Sequence, residues 1–110
     1  MKNIEKYCHY LYNSIYIPIY IYKDKELITS YPQEEYNVLP PSIYLDKLFT
    51  STKPISYVET SFYSYYGCIK LDHDLALILG PVNDMPYTQK TLFDIKRDYP
   101  PSSIDSEDFA

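Results

Sequence analysis

The sequence predicts an α+β domain: a central five-stranded antiparallel sheet covered by helices. Two observations carry that prediction. The first is the run Tyr65-Tyr66-Gly67-Cys68-Ile69-Lys70-Leu71, a polar turn at Asp72-His73-Asp74, and then Leu75-Ala76-Leu77-Ile78-Leu79-Gly80-Pro81-Val82. Two apolar runs joined by a short polar turn read as a β-hairpin. Strands this apolar must be covered, which places them in the middle of a sheet with helices against them. The second is the order of the elements. No helix of about 10 to 15 residues separates each strand from the next, which argues against a doubly wound parallel sheet. An antiparallel sheet with helices on one face is the economical arrangement.

The elements follow in order. Ile4, Tyr7, Cys8, Leu11, Tyr12 and Ile15 fall at helical spacing and predict a helix over 3–14, stopped by Asn13-Ser14. Ile17 to Tyr22 is a β-branched and aromatic strand, with Pro18 at its start where a ladder donor can be spared. Lys23-Asp24-Lys25-Glu26 is a charged turn, and Leu27 to Tyr31 returns as the second strand. Pro32 to Pro41 is a loop carrying the solvated pair Glu34-Glu35. Pro41-Ser42 opens a helix over 42–51, with Ile43, Tyr44, Lys47 and Leu48 in successive turns. Ile55 to Thr60, Tyr65 to Leu71 and Leu75 to Leu79 complete the sheet, the last stopped by Gly80-Pro81. The final helix spans Thr88 to Arg97 with Thr88 as its N-cap, and Pro100-Pro101 ends it. Gly67 inside a strand points to a bulge or a close backbone approach. Residues 1–99 form one domain, and 100–110, with Asp105, Glu107 and Asp108, a linker or tail.

Composition narrows the function. Fifteen tyrosines stand against four phenylalanines and no tryptophan, and each adds to its ring a hydroxyl that needs a partner when buried. Most are expected to be half-buried packing residues. The net charge is −5 and Arg97 is the only arginine, so this segment has no basic stripe with which to contact nucleic acid. The longest apolar run, Ile15 to Tyr22, is far below the roughly 20 residues of a membrane helix. Met1-Lys2 leads straight into an amphipathic pattern, and Cys8 and Cys68 lie far apart. The reading is a cytoplasmic chain with reduced thiols.

No catalytic constellation emerges. Cys8, His9, Cys68 and His73 lack the paired spacing of a zinc site, so neither a metal nor another cofactor is expected. A Cys–His pair would need Cys68 near His9 or His73, and His73 belongs to a turn out of reach. Two glycines in the whole chain leave no phosphate cradle. The chain is read as no enzyme, with Cys68 a small buried hydrophobe. A ligand pocket would lie between one face of the central strands and the helices. Strand alternation separates the two faces without saying which one the helices cover. The face carrying Tyr20, Tyr66, Cys68 and Ile78 has the polar-tipped residues that suit a small ligand, and a filled core is the alternative. Dimerisation through the first helix would use Tyr7, Tyr10, Leu11 and Ile15.

Leu11-Tyr12-Asn13-Ser14, Ile17-Pro18-Ile19-Tyr20, Tyr65-Tyr66-Gly67-Cys68-Ile69 and Ile78-Leu79-Gly80-Pro81-Val82, in that order, carry a family resemblance. Over residues 4–98 the chain resembles the N-terminal sensor region of AraC-type transcriptional regulators from low-GC Gram-positive bacteria. The resemblance implies a PAS/GAF-like module that regulates a C-terminal pair of helix-turn-helix motifs through a linker. It implies a small-molecule effector or partner, a homodimer, and DNA contact through the parent's C-terminal region, since nine residues after Pro101 cannot form such a unit. The alternative from another class is a free-standing dimerisation or protein-interaction module without ligand.

Overall fold

The computed structural model describes residues 2–32, 39–60, 63–71 and 74–98. Helix α1 (Lys2–Ile15) leads into strands β1 (Ile19–Lys23) and β2 (Glu26–Tyr31). Helix α2 (Ser42–Thr50) follows, then strands β3 (Ile55–Glu59), β4 (Tyr65–Lys70) and β5 (Leu75–Val82), and finally helix α3 (Met85–Asp98). The strands form one antiparallel sheet in the order β2-β1-β5-β4-β3. The α+β class and the five-stranded antiparallel sheet are thus as the sequence predicts. The turn at 72–73, the loop at 33–38 and the boundary at 99–100 lie outside the described residues.

The helices occupy both faces of the sheet, which corrects the one-face expectation. Ile19 and Ile21 of β1, Ile69 of β4, and Leu77 and Leu79 of β5 pack against α1 through Ile4 and Leu11, and against α3 through Leu92 and Ile95. Tyr20, Tyr22, Tyr66, Cys68, Ala76 and Ile78 point the other way, toward Leu48 of α2. The reason is β5: every residue from Leu75 to Gly80 is buried, so neither of its faces can be left to water. Burying one such aliphatic side chain contributes about 1.5–3 kcal/mol, enough to require a cover on each side. No described helix is long and apolar enough to cross a membrane.

Local chemistry moves several boundaries. Asp24 and Lys25 both adopt left-handed backbone, φ 51° and 68°, which matches a two-residue hairpin to the twist of β1 and β2. Glu26 therefore belongs to β2 rather than to the turn. Helix α1 runs past Asn13-Ser14 and closes where Tyr16 turns left-handed, φ 56°. Strand β5 continues through Gly80-Pro81 to Val82, which pairs with Tyr65. Gly80 is what lets it continue: its φ is +137°, its N–H donates to the Pro18 carbonyl at 3.1 Å, and a Cβ would stand 2.7 Å from the Tyr65 carbonyl oxygen. Gly67 provides both a bulge and a close approach. The β4–β5 register shifts between Tyr65 and Gly67, and a Cβ on Gly67 would meet Leu92 Cδ1 at 2.8 Å.

Helix α3 begins three residues before the predicted start. Asp84 is the N-cap, its Oδ1 accepting the Tyr87 N–H at 2.9 Å. Pro86 fits the first turn, where an N–H has no helical partner to lose. Thr88 lies inside the helix, fully buried, with its Oγ1 donating to the Asp84 carbonyl at 2.7 Å. Helix α2 is rotated from the expected phase. It buries Leu48 and packs Tyr44, Leu45 and Phe49 on the sheet, leaving Ile43 60% exposed and Lys47 exposed.

Candidate functional site

The four residues singled out for a pocket come together on the sheet face under α2. Three form one row across the strands: Tyr20 pairs with Ile78, and Ile78 with Cys68. Ser56 of β3 extends the row beyond Cys68. Tyr66 lies two residues along β4 from Cys68, on the same face by strand alternation. All four are buried, at 0–6% exposure, so they are packed between sheet and helix rather than set on an open surface.

Three further aromatics complete the site. Tyr22 follows Tyr20 at strand period and meets Phe49 edge-on, ring centres 5.4 Å apart. Tyr44 stacks on Tyr66 at 6.0 Å. Alternation from Tyr20 is enough to find Tyr22. Tyr44 belongs to the set the sequence offers for this helix, whereas Phe49 reaches the sheet only through the rotation of α2.

Burial raises the phenol of Tyr20 above the ordinary value, helped by Tyr66. It pushes Tyr22 up to about 12, with Tyr20 and Tyr66 adding to the effect. Tyr66 is raised by burial and then by Tyr44. The hydroxyls of this face thus sense one another and stay protonated, ready to donate or accept a hydrogen bond.

Cys68 is no nucleophile here. Burial drives its thiol up to about 12, against smaller downward pulls from Lys70 and Ser56. A thiol held protonated to that pH is chemically inert. The Ser56 hydroxyl is buried with no hydrogen-bond partner, so we take its approach to the Cys68 sulfur as a weak polar contact. Lys70 Nζ donates to the carbonyls of Phe49 and Ser51. That charge at the C-terminal end of α2 holds the helix to the sheet. A cleft of about 230 Å³ opens beside this end, with Tyr22, Phe49 and Ala76 among its apolar walls and Asp24, Lys25 and Asp74 among its charged ones.

The remaining sequence candidates separate. Cys8 sits in the opposite core, beneath α1, and its thiol is raised to about 12 by burial and by Glu5. His9 points outward and stacks on Tyr31, ring centres 4.7 Å apart. Cys8 and His9 border one cleft of about 400 Å³ beside α1 and β2, the thiol buried and the imidazole exposed, and Cys68 lies across the sheet from both. His73 lies outside the described residues. Among the described residues no three metal-ligating side chains gather. Of the helix residues considered for dimerisation, Tyr7 and Leu11 are buried in the core, Ile15 packs partly against it, and Tyr10 is 60% exposed.

Comparison of the chain with protein-family models, with curated proteins and with solved structures gives no match.

Proposed function

We propose that this chain is a cytoplasmic, non-catalytic sensor domain of PAS/GAF-like type, belonging to a transcriptional regulator. It holds a small molecule between α2 and the sheet and controls a DNA-binding region outside these residues. The observation that supports this reading is the meeting of Tyr20, Tyr22 and Tyr66 of the sheet with Tyr44 and Phe49 of the nine-residue helix that covers them. Ring faces take up a flat apolar molecule, and phenol hydroxyls fix its polar edge. The expected ligand is therefore small, planar and partly apolar, with at least one hydrogen-bonding group. The regulatory role rests on the sequence's resemblance to AraC-type sensor regions.

The mechanism is a population shift. A ligand that binds better with α2 in one position favours that position by the difference in its two affinities. Phe49 and Ser51 tie the end of α2 to Lys70 on β4, so a shift of the helix is felt in the central strands. From β5 the chain passes directly into α3, the last described element before any downstream region.

Native mass spectrometry of the purified protein, compared with the same sample denatured, tests the proposal. A reproducible extra mass in the native spectrum, reduced in Tyr66→Ala, supports it. Bare protein mass, together with no melting-temperature response to a panel of planar heteroaromatic compounds, contradicts it.

A further inference from the structure

We propose that the outer edge of β3 is a self-association surface, where a second copy of this chain adds its own β3 in antiparallel register about a twofold axis at Ser56. Among the described residues β3 ends the sheet, and β4 covers only its inner side. The Lys70 N–H donates to the Pro54 carbonyl at 2.9 Å, which fixes the phase of the ladder. By alternation, Ser56 and Val58 turn their amides to β4, while Ile55, Tyr57 and Glu59 turn theirs to the outer edge. An edge of unpaired amides is a template for another strand.

The side chains choose the register. With Ser56 opposite Ser56 of the partner subunit, Ile55 faces the partner's Tyr57, and Lys53 faces the partner's Glu59. Lys53 and Glu59 are both exposed and of opposite sign. Ile55 and Tyr57 form a β-branched–aromatic pair, which antiparallel sheets favour. Tyr57 is 42% exposed, and Gln89 Nε2 donates to its hydroxyl at 2.7 Å, which holds the ring at the edge. Centring the pairing on Tyr57 instead would set Ile55 against Glu59 and Ser56 against Val58, losing both matches.

There is room for the added strand. A groove of about 460 Å³ runs between α2 and this edge, with Lys47 and Leu48 on one side and Ser56 and Val58 on the other. The joined sheets place the two α2 helices on the same face, one on each side of the seam. The association rests on β3 alone and holds whether or not the α2 face takes a ligand.

Sedimentation equilibrium on the 110-residue chain tests it with four proteins: wild type, Lys53→Glu, Glu59→Lys and the double reversal. Twofold symmetry makes each single reversal set two like-charge pairs across the seam. The wild type is expected to dimerise reversibly, each single reversal to raise the dissociation constant about tenfold, and the double reversal to restore it to within about threefold. Thermal melts show whether each variant remains folded. A wild type that is monomeric throughout the concentration range overturns the proposal. So does a dimer that neither reversal weakens, or one that the double reversal fails to restore.

Discussion

The two faces of the sheet are built from the same five strands yet solve different problems. Against α1 and α3 the central strands β1, β4 and β5 present Ile19, Ile21, Ile69, Leu77 and Leu79, aliphatic side chains with no polar atoms to satisfy. Two fourteen-residue helices cover them, and Gly67 removes a side chain so that Leu92 can come close. Against α2 the same strands present Tyr20, Tyr22, Tyr66 and Cys68, under a helix of nine residues. An aliphatic face is complete once its shape is filled. A tyrosine face also needs partners for its hydroxyls, and it can exchange them with a bound molecule. On the function proposed above, the aliphatic side carries stability and the tyrosine side recognition.

Substitutions should separate the faces. Leu77→Ala, at a fully buried position of the central strand, is expected to cost about 3 kcal/mol in denaturant unfolding, because the surrounding helices cannot close the cavity. Gly67→Ala is expected to cost about 2 kcal/mol by forcing a methyl against Leu92. Combined with Leu92→Ala, the two changes should cost less than their sum, and simple additivity would show that the close approach is not what Gly67 provides.

Alkali probes both faces together. Cys8 beneath α1 and Cys68 beneath α2 are each raised from 9.0 to about 12 in the folded chain. The folded state therefore keeps its thiol protons while the unfolded state loses them. The stability that each buried thiol contributes is fully present below pH 9 and lost as pH rises toward 12. By pH 10 the loss reaches about 1.4 kcal/mol per thiol, read as a falling urea midpoint. The Cys8→Ala and Cys68→Ala variants should each remove one share of the slope. Unequal shares would mean that one face admits water more readily than the other.

The smallest effect on stability is expected on the α2 face. Tyr20→Phe and Tyr66→Phe should each change unfolding free energy by about 1 kcal/mol or less. They should weaken retention of a bound molecule about tenfold in native mass spectra, a loss of about 1.4 kcal/mol. If either cost as much stability as Leu77→Ala, the hydroxyls would be structural and the division between the faces would fail.

The sheet is legible in the sequence because its signals are local. The hairpin of β4 and β5 shows as two apolar runs, and period-2 spacing by itself separates Tyr66 and Cys68 from Gly67 and Ile69 along β4. Tertiary contact decides what local pattern does not. With both faces of β5 apolar, alternation does not say which helix goes where. Ile43 and Phe49 are equally apolar in sequence, and only the approach of α2 to Tyr22 and Tyr66 turns Phe49 in and Ile43 out. Gly80-Pro81 reads as a stop, yet Gly80 tolerates the positive φ that carries β5 on to Val82. Thr88 and Asp84 are both good N-cap types, and Pro86 in the first turn is the legible clue that favours Asp84.

Hydrogen–deuterium exchange of the backbone amides tests the division of labour most directly. Amides within α2, residues 42–50, are expected to exchange at least about tenfold faster than those in the middle of α1 and α3. A compound that raises the melting temperature is expected to slow exchange in α2 first. Protection in α2 equal to that of α1 and α3, unchanged by any such compound, would contradict that division.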